Sequence, residues 1–130
     1  MEVTIKYRDK ILKGLWKWIE QTGSIVFIAE KIEGKNSLKL GYLILYPEAI
    51  EELTGLSQAW VMDIAVLSSY RNYGTATALL EAAEKFCHVK RIEYLGLAVS
   101  SHNLNALQLY EKLGFAEERK LMVKVLKQAD

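Results

Sequence analysis

Tyr7, Ile11, Leu12, Leu15, Trp16 and Ile19 recur at three- and four-residue spacing with Lys, Arg and Glu between them, and Gly23 follows. That period predicts an amphipathic helix over 7–21, a lid or a flank of the fold. Residues 24–30 and 38–46 are rich in β-formers and are separated by Gly34-Lys35-Asn36, which predicts an antiparallel hairpin. The next stretch, 47–58, turns polar and acidic and reads as a short helix or loop. Strand character returns over 60–67. Over 74–87, Ala76, Leu79, Leu80, Ala83 and Phe86 share one helical face, and 92–99 is a continuous β-type run suited to a strand covered on both faces. Strand, helix and strand in this order make a parallel unit. A second helix over 104–113 stops at Gly114, placed for a left-handed residue after the helix, and 115–126 predicts a final strand. The expected fold class is therefore α/β: a mixed, mostly antiparallel sheet with a central parallel β-α-β unit and flanking helices.

Composition narrows this further. The 130 residues carry one proline, no repeat and no Gly/Ser-rich linker, so a single domain over 1–130 is expected. Seventeen Lys and Arg against sixteen Asp and Glu, with no basic run interleaved with aromatics, leave no electrostatic footprint for nucleic acid. The single Cys87 cannot form an internal disulfide, and the charged start Met-Glu-Val-Thr-Ile-Lys-Tyr-Arg lacks the apolar stretch of a signal peptide. No apolar run is long enough for a membrane span. The expectation is a cytoplasmic protein without membrane or nucleic-acid partners.

The first place where chemistry could sit is the junction between the strand over 60–67 and the helix that follows it. Arg71-Asn72-Tyr73-Gly74-Thr75-Ala76 opens that helix, and small residues at 74 and 76 let an anion approach the unpaired amides of the helix start. Arg71 adds a positive charge. A glycine that merely starts a helix would read the same way. The segment is neither a Walker loop, since no Lys-Ser/Thr follows, nor a dinucleotide fingerprint, since the first glycine is missing.

The second place is Asn103-Leu104-Asn105-Ala106-Leu107-Gln108-Leu109-Tyr110-Glu111-Lys112-Leu113-Gly114-Phe115. Ala106, Leu109, Tyr110 and Leu113 share a helical face, which aims the phenol at whatever that face packs on. Tyr110 could be an ordinary half-buried core tyrosine and Asn103 a plain helix cap. Taken together over 60–115, the strand, the Arg-x-x-Gly-x-Ala helix start and the Asn-x-x-Ala-x-x-Leu-Tyr-x-Lys-x-Gly-Phe segment resemble the GNAT superfamily of N-acetyltransferases.

The resemblance implies the acyl-CoA N-acyltransferase fold and acetyl-CoA as co-substrate, with no metal. It implies that Ile64, Ala65, Val66 and Leu67 lend backbone groups to the pantetheine arm. Arg71, Asn72, Tyr73, Gly74, Thr75 and Ala76 would hold the pyrophosphate, and Asn103 would touch the pantetheine or cap its helix. Tyr110 would protonate the departing thiolate. The base that the amine needs is less marked, because the position five before Asn103, where several branches carry a Glu, is Ala98. Asp63 takes its place as base or water-orienter, unless it is simply a strand carboxylate paired with a neighbouring cation. Glu48, Glu51 and Glu52 would form a negative rim that draws in a cationic amine, or only a solvated helix face. Trp16, Trp18 and Trp60 could line an acceptor pocket or simply pack the core.

Three departures qualify the likeness. Asn72 and Ala76 stand where glycines are frequent, the acceptor wall before the hairpin is short, and little chain follows Phe115. An open acceptor site and an exposed last strand follow, which favours a protein Lys or N-terminus over a small amine as acceptor, and a homodimer. The expected function is direct transfer of acetyl from acetyl-CoA to a primary amine in a ternary complex. The alternative is a catalytically silent CoA-binding regulatory or interaction domain.

Overall fold

Ile25–Glu33 (β2) and Asn36–Ile50 (β3) are dominated by β-branched, apolar and aromatic residues, and they fold back on each other through the two-residue turn Gly34-Lys35, with Gly34 at φ +60°. The computed structural model describes residues 1–6 and 21–127. Apart from its last residue, the helix expected over 7–21 lies outside the described residues, as do Trp16 and Trp18. Glu2–Lys6 (β1) pairs antiparallel with β2, and Ser57–Val66 (β4) pairs antiparallel with β3. Tyr94–Gly96 (β5) pairs parallel with β4, giving one five-stranded sheet in the order β1-β2-β3-β4-β5. A 3-10 turn at Ser68–Tyr70 leads into helix α1, Thr75–Val89, which supplies the crossover between the two parallel strands. The mixed sheet with its parallel β-α-β unit is the architecture read from the pattern. The chain divides into two compact units, Met1–Ala98 and Val99–Asp130. Among the described residues no helix is long and apolar enough to cross a membrane.

The core of the first unit lies on both faces of the sheet. Phe27, Leu43 and Leu45 are buried together with Leu79, Leu80 and Ala83 of α1 on one side, and Phe27 meets Phe86 edge to face at 6.1 Å. Val26, Ile28 and Ile44 form a second buried cluster on the opposite face, with Tyr42 packed against it.

Four details depart from the pattern. β3 runs on through 47–50, where a helix or loop is expected, because Pro47 and Glu48 fall in a register shift between Tyr46 and Ala49, where the missing proline N–H costs no ladder bond. Glu51 is not on a solvated rim. It is 5% exposed, and its carboxylate accepts from Leu53 N, Thr54 N and Thr54 Oγ1 at 3.1, 2.8 and 2.8 Å, building the turn into β4. The β-type run 92–99 pairs only over Tyr94–Gly96. Residues 115–126 form no strand: Leu121, Met122, Val123, Val125 and Leu126 are 80–93% exposed, and among the described residues no strand pairs with them. β propensity alone does not make a strand when nothing supplies the ladder's other half.

Candidate active site

β4 changes character halfway along. Over Gln58–Trp60 it is hydrogen-bonded to β3 on one side and β5 on the other. Beyond Trp60 only β3 remains, so residues 61–66 have an edge with no strand partner among the described residues. Two features open this gap. The register steps from Ile44 opposite Asp63 to Leu45 opposite Val61, which makes Met62 an extra, bulged residue and bends the strand. Trp60 lies across the last residue of β5: a Cβ on Gly96 would come within 2.8 Å of Trp60 Cε3 and Cζ3 and 2.6 Å of Gln58 Nε2. Only glycine fits there. The exposure of Met62, Asp63 and Ala65 on an interior strand follows from the open side. Ile64, Ala65 and Val66 thus present main-chain groups along a cleft edge, where an extended ligand could pair as a strand would.

The cleft edge leads into the loop before α1. Asn72 and Gly74 both take left-handed backbone, φ +68° and +81°, so the chain turns sharply on its way into α1. Asn72 thereby stands at a position where glycine is at home, and Asn is among the side chains that tolerate it best. Gly74 caps α1 without any side-chain acceptor, and the first helical bond is Ala78 N to Gly74 O at 2.9 Å. The amides of the first turn are left for a ligand. A Cβ built on Gly74 meets nothing within 4 Å, so the space over the cap is open. Thr75, at the first helical position, is 2% exposed and its Oγ1 has no hydrogen-bond partner. A bound oxyanion would supply the acceptor this hydroxyl lacks. Arg71 is exposed, with its Nε 3.4 Å from Val66 O. The residues present suit a diphosphate followed by an extended amide-bearing arm.

Asp63 is exposed on β4, and sequence reasoning missed its partner. The Tyr42 hydroxyl donates to Asp63 Oδ2 at 2.7 Å, from two residues along the adjacent strand, since Asp63 itself lies opposite Ile44. The Asp63 hydrogen bond, helped by burial and by the charge of Asp63, pushes the Tyr42 phenol up to about 12. No local motif links positions 42 and 63; only the β3–β4 register does.

In the second unit, Leu104–Lys112 forms helix α2. Asn103 is its N-cap, with Oδ1 accepting from Ala106 N at 3.2 Å, so the capping half of its expected role is visible. The far end is a Schellman motif: Phe115 N bonds Tyr110 O at 2.9 Å and Gly114 N bonds Glu111 O at 3.1 Å, with Gly114 at φ +97°. That closure sets the Phe115 ring edge to face against Tyr110, 5.9 Å between centroids. Tyr110 is half-buried, and burial raises its pKa above the usual phenol value, so it is a protonated donor at neutral pH. Cys87 is buried with its thiol pushed up to about 11 by burial and by Glu84, which makes it inert.

Known proteins bear on this arrangement. Residues 4–115 match the model of the Acetyltransferase (GNAT) family. An N-alpha-acetyltransferase of Sulfurisphaera tokodaii is 43% identical over 69 residues, which are 52% of this chain and 41% of that protein. The match thus spans about two fifths of that relative's length. Among solved structures, a ribosomal-protein-alanine N-acetyltransferase from Brucella melitensis aligns at TM-score 0.72 and 17% identity, over 97% of this chain and 100% of that one. AAC(6')-Iy in complex with the bisubstrate analog CoA-S-monomethyl-acetylneamine aligns at TM-score 0.73 and 16% identity, over 98% and 100%. The family match over most of the chain, on a fold with a half-opened β4 and an uncapped α1, places this protein in the GNAT family of acetyltransferases.

Proposed function

We propose that the two units act as one acetyl-CoA-dependent N-acetyltransferase domain, cytoplasmic, that transfers acetyl directly to a primary amine in a ternary complex. The observation that supports this reading is that the β4 edge over 61–66, without a strand partner among the described residues, leads through a short loop to a helix start with no side-chain cap at Gly74, an arrangement that suits a pantetheine arm followed by a pyrophosphate. Bound acetyl-CoA supplies an activated acyl carbon. In the reaction the amine nitrogen bonds that carbon, the C–S bond breaks, and a thiolate leaves. From an ammonium the products are an amide, a thiol and one proton. Main-chain N–H groups along 61–66 stabilise the oxygen that becomes negative. Tyr110 protonates the sulfur, and Asp63 receives the amine's proton or passes it to water. A protein N-terminus is the favoured acceptor, in keeping with the N-alpha-acetyltransferase relative. The apolar residues left bare over 121–126 support association into a homodimer, in which a second copy would cover them.

Mass spectrometry of peptides with free N-termini, incubated with enzyme and acetyl-CoA, tests the activity. One acetyl group gained on the N-terminus is the expected result. Acetyl-CoA binding without transfer to any peptide, polyamine or lysine substrate would favour the silent regulatory domain instead, as Ala98 at the usual Glu position suggests.

A further inference from the structure

Between Lys39 and Arg71 the sequence has no Lys, Arg or His, and its carboxylates there are Glu48, Glu51, Glu52 and Asp63. Three of those four fall together where β3 turns into β4. The turn is fixed by its own hydrogen bonds. The buried Glu51 carboxylate accepts from Leu53 N, Thr54 N and Thr54 Oγ1, Glu51 N donates to Leu56 O at 2.9 Å, and Gly55 N donates to Glu51 O at 2.7 Å. Leu56 N adds a bond to Thr54 Oγ1 at 3.2 Å. Held in this way, Ile50, Leu53 and Leu56 stand 66%, 76% and 40% exposed. Single apolar residues scattered over a surface are ordinary, but three on one rigid turn, rimmed by carboxylates, form a patch that suits an apolar and basic partner.

The segment 119–127 has that chemistry. Arg119, Lys120, Lys124 and Lys127 are its charged residues, with no carboxylate among them, and the apolar run 121–126 between them is 80–93% exposed except at Lys124. We infer that the β3–β4 turn of one copy seats residues 119–127 of a second copy, with Ile50, Leu53 and Leu56 covering the bare apolar run and Glu48 and Glu52 facing its cations. The inference rests on the homodimer reading and names the surface that closes the dimer. Turn and segment are both exposed in the single chain, so each is left for another molecule to cover. A chain that carries both halves of a contact can exchange them about a two-fold axis, turn to segment and segment to turn, which stops the assembly at two copies. Opposite charges steer the two together and disfavour turn against turn or segment against segment. The turn's backbone is already fixed, so the ordering cost of docking falls on the segment alone.

The test is disulfide trapping in the full chain. Leu53→Cys and Val123→Cys proteins are mixed, one of them carrying a size tag so that each linked product is identified on a non-reducing gel. Cys87 is buried and does not compete. The mixed product, one Leu53→Cys chain joined to one Val123→Cys chain, should form in preference to either self-linked product. A Val89→Cys protein, exposed at the end of α1, should not link to Val123→Cys. Sedimentation velocity then measures the contact. Leu53→Asp should weaken the dimer at least ~30-fold, and Glu48→Lys or Lys124→Glu about 3- to 10-fold each, while the two reversals in one chain should recover most of the loss. A dimer that gives no mixed product, or that tolerates Leu53→Asp, would overturn the inference and leave the homodimer standing. A Leu53→Cys, Val123→Cys double variant that links within one chain would overturn it too, since the segment would then sit on its own turn. A chain that stays monomeric at high micromolar concentration would overturn both readings together.

Discussion

The two halves of β4 are made of similar residues and meet different fates. Ala59, at 0% exposure, sits between two paired strands, while Asp63 and Ala65, a few positions on, are exposed on a strand that still pairs with β3. The difference is whether β5 follows. Up to Trp60 it does, and side chains are locked by neighbours on both sides. Past Trp60 it does not, and among the described residues no strand pairs with that edge of the backbone. An edge left open inside a sheet, next to a helix start without a side-chain cap, is where the proposed acetyl-CoA site would lie. One strand is thus paired on both edges in its first half and on one edge in its second.

This contrast predicts that changes will separate by readout. The largest effect expected is on turnover. Tyr110→Phe should lower kcat about 10²-fold, with acetyl-CoA affinity and melting temperature almost unchanged. Because burial holds the Tyr110 phenol above its usual value, the alkaline limb of kcat should fall above pH 10, and Tyr110→Phe should erase that limb. An unaltered rate would remove Tyr110 from the chemistry. Next is a scaffold change. Gly96→Ala forces its new methyl to within 2.6–2.8 Å of Gln58 and Trp60, and should destabilise the fold by about 1–3 kcal/mol in denaturant unfolding. A neutral result would mean that Trp60 does not hold the strands at their parting point. The smallest effect concerns the Tyr42–Asp63 pair. Its phenol should titrate near 12 by ultraviolet absorbance, and Asp63→Asn should bring it back towards 10. A phenol raised in the folded state contributes stability that is complete below about pH 10 and lost as pH rises through about 12. The gain should be slight, since the pair is exposed.

Much of this was legible in the sequence where the signal is local. The period of Leu79, Leu80 and Ala83 marks α1, Gly74 marks its start and Gly114 marks the close of α2, each because helix starts and stops are written within a few residues. What depends on partners was not legible. Residues 115–126 have strand composition but no strand to pair with, and 92–99 loses its pairing after Gly96 because β4 turns away. Glu51 looked solvated among its acidic neighbours, yet three donors brought round by a turn bury it. Tyr42 and Asp63, 21 positions apart, meet only once the register of β3 and β4 is known, bulge included.

The central claim, that the open edge of β4 and the start of α1 form one acetyl-CoA site, is tested most directly by calorimetric titration of acetyl-CoA. The wild type, Gly74→Glu and Gly74→Asn should be compared. Micromolar binding that Gly74→Glu abolishes is the predicted result, since a carboxylate over the cap repels a diphosphate, while Gly74→Asn, uncharged and tolerant of left-handed backbone, retains most of it. Wild-type protein that fails to bind at millimolar acetyl-CoA, or Gly74→Glu that binds as well as the wild type, would contradict the account.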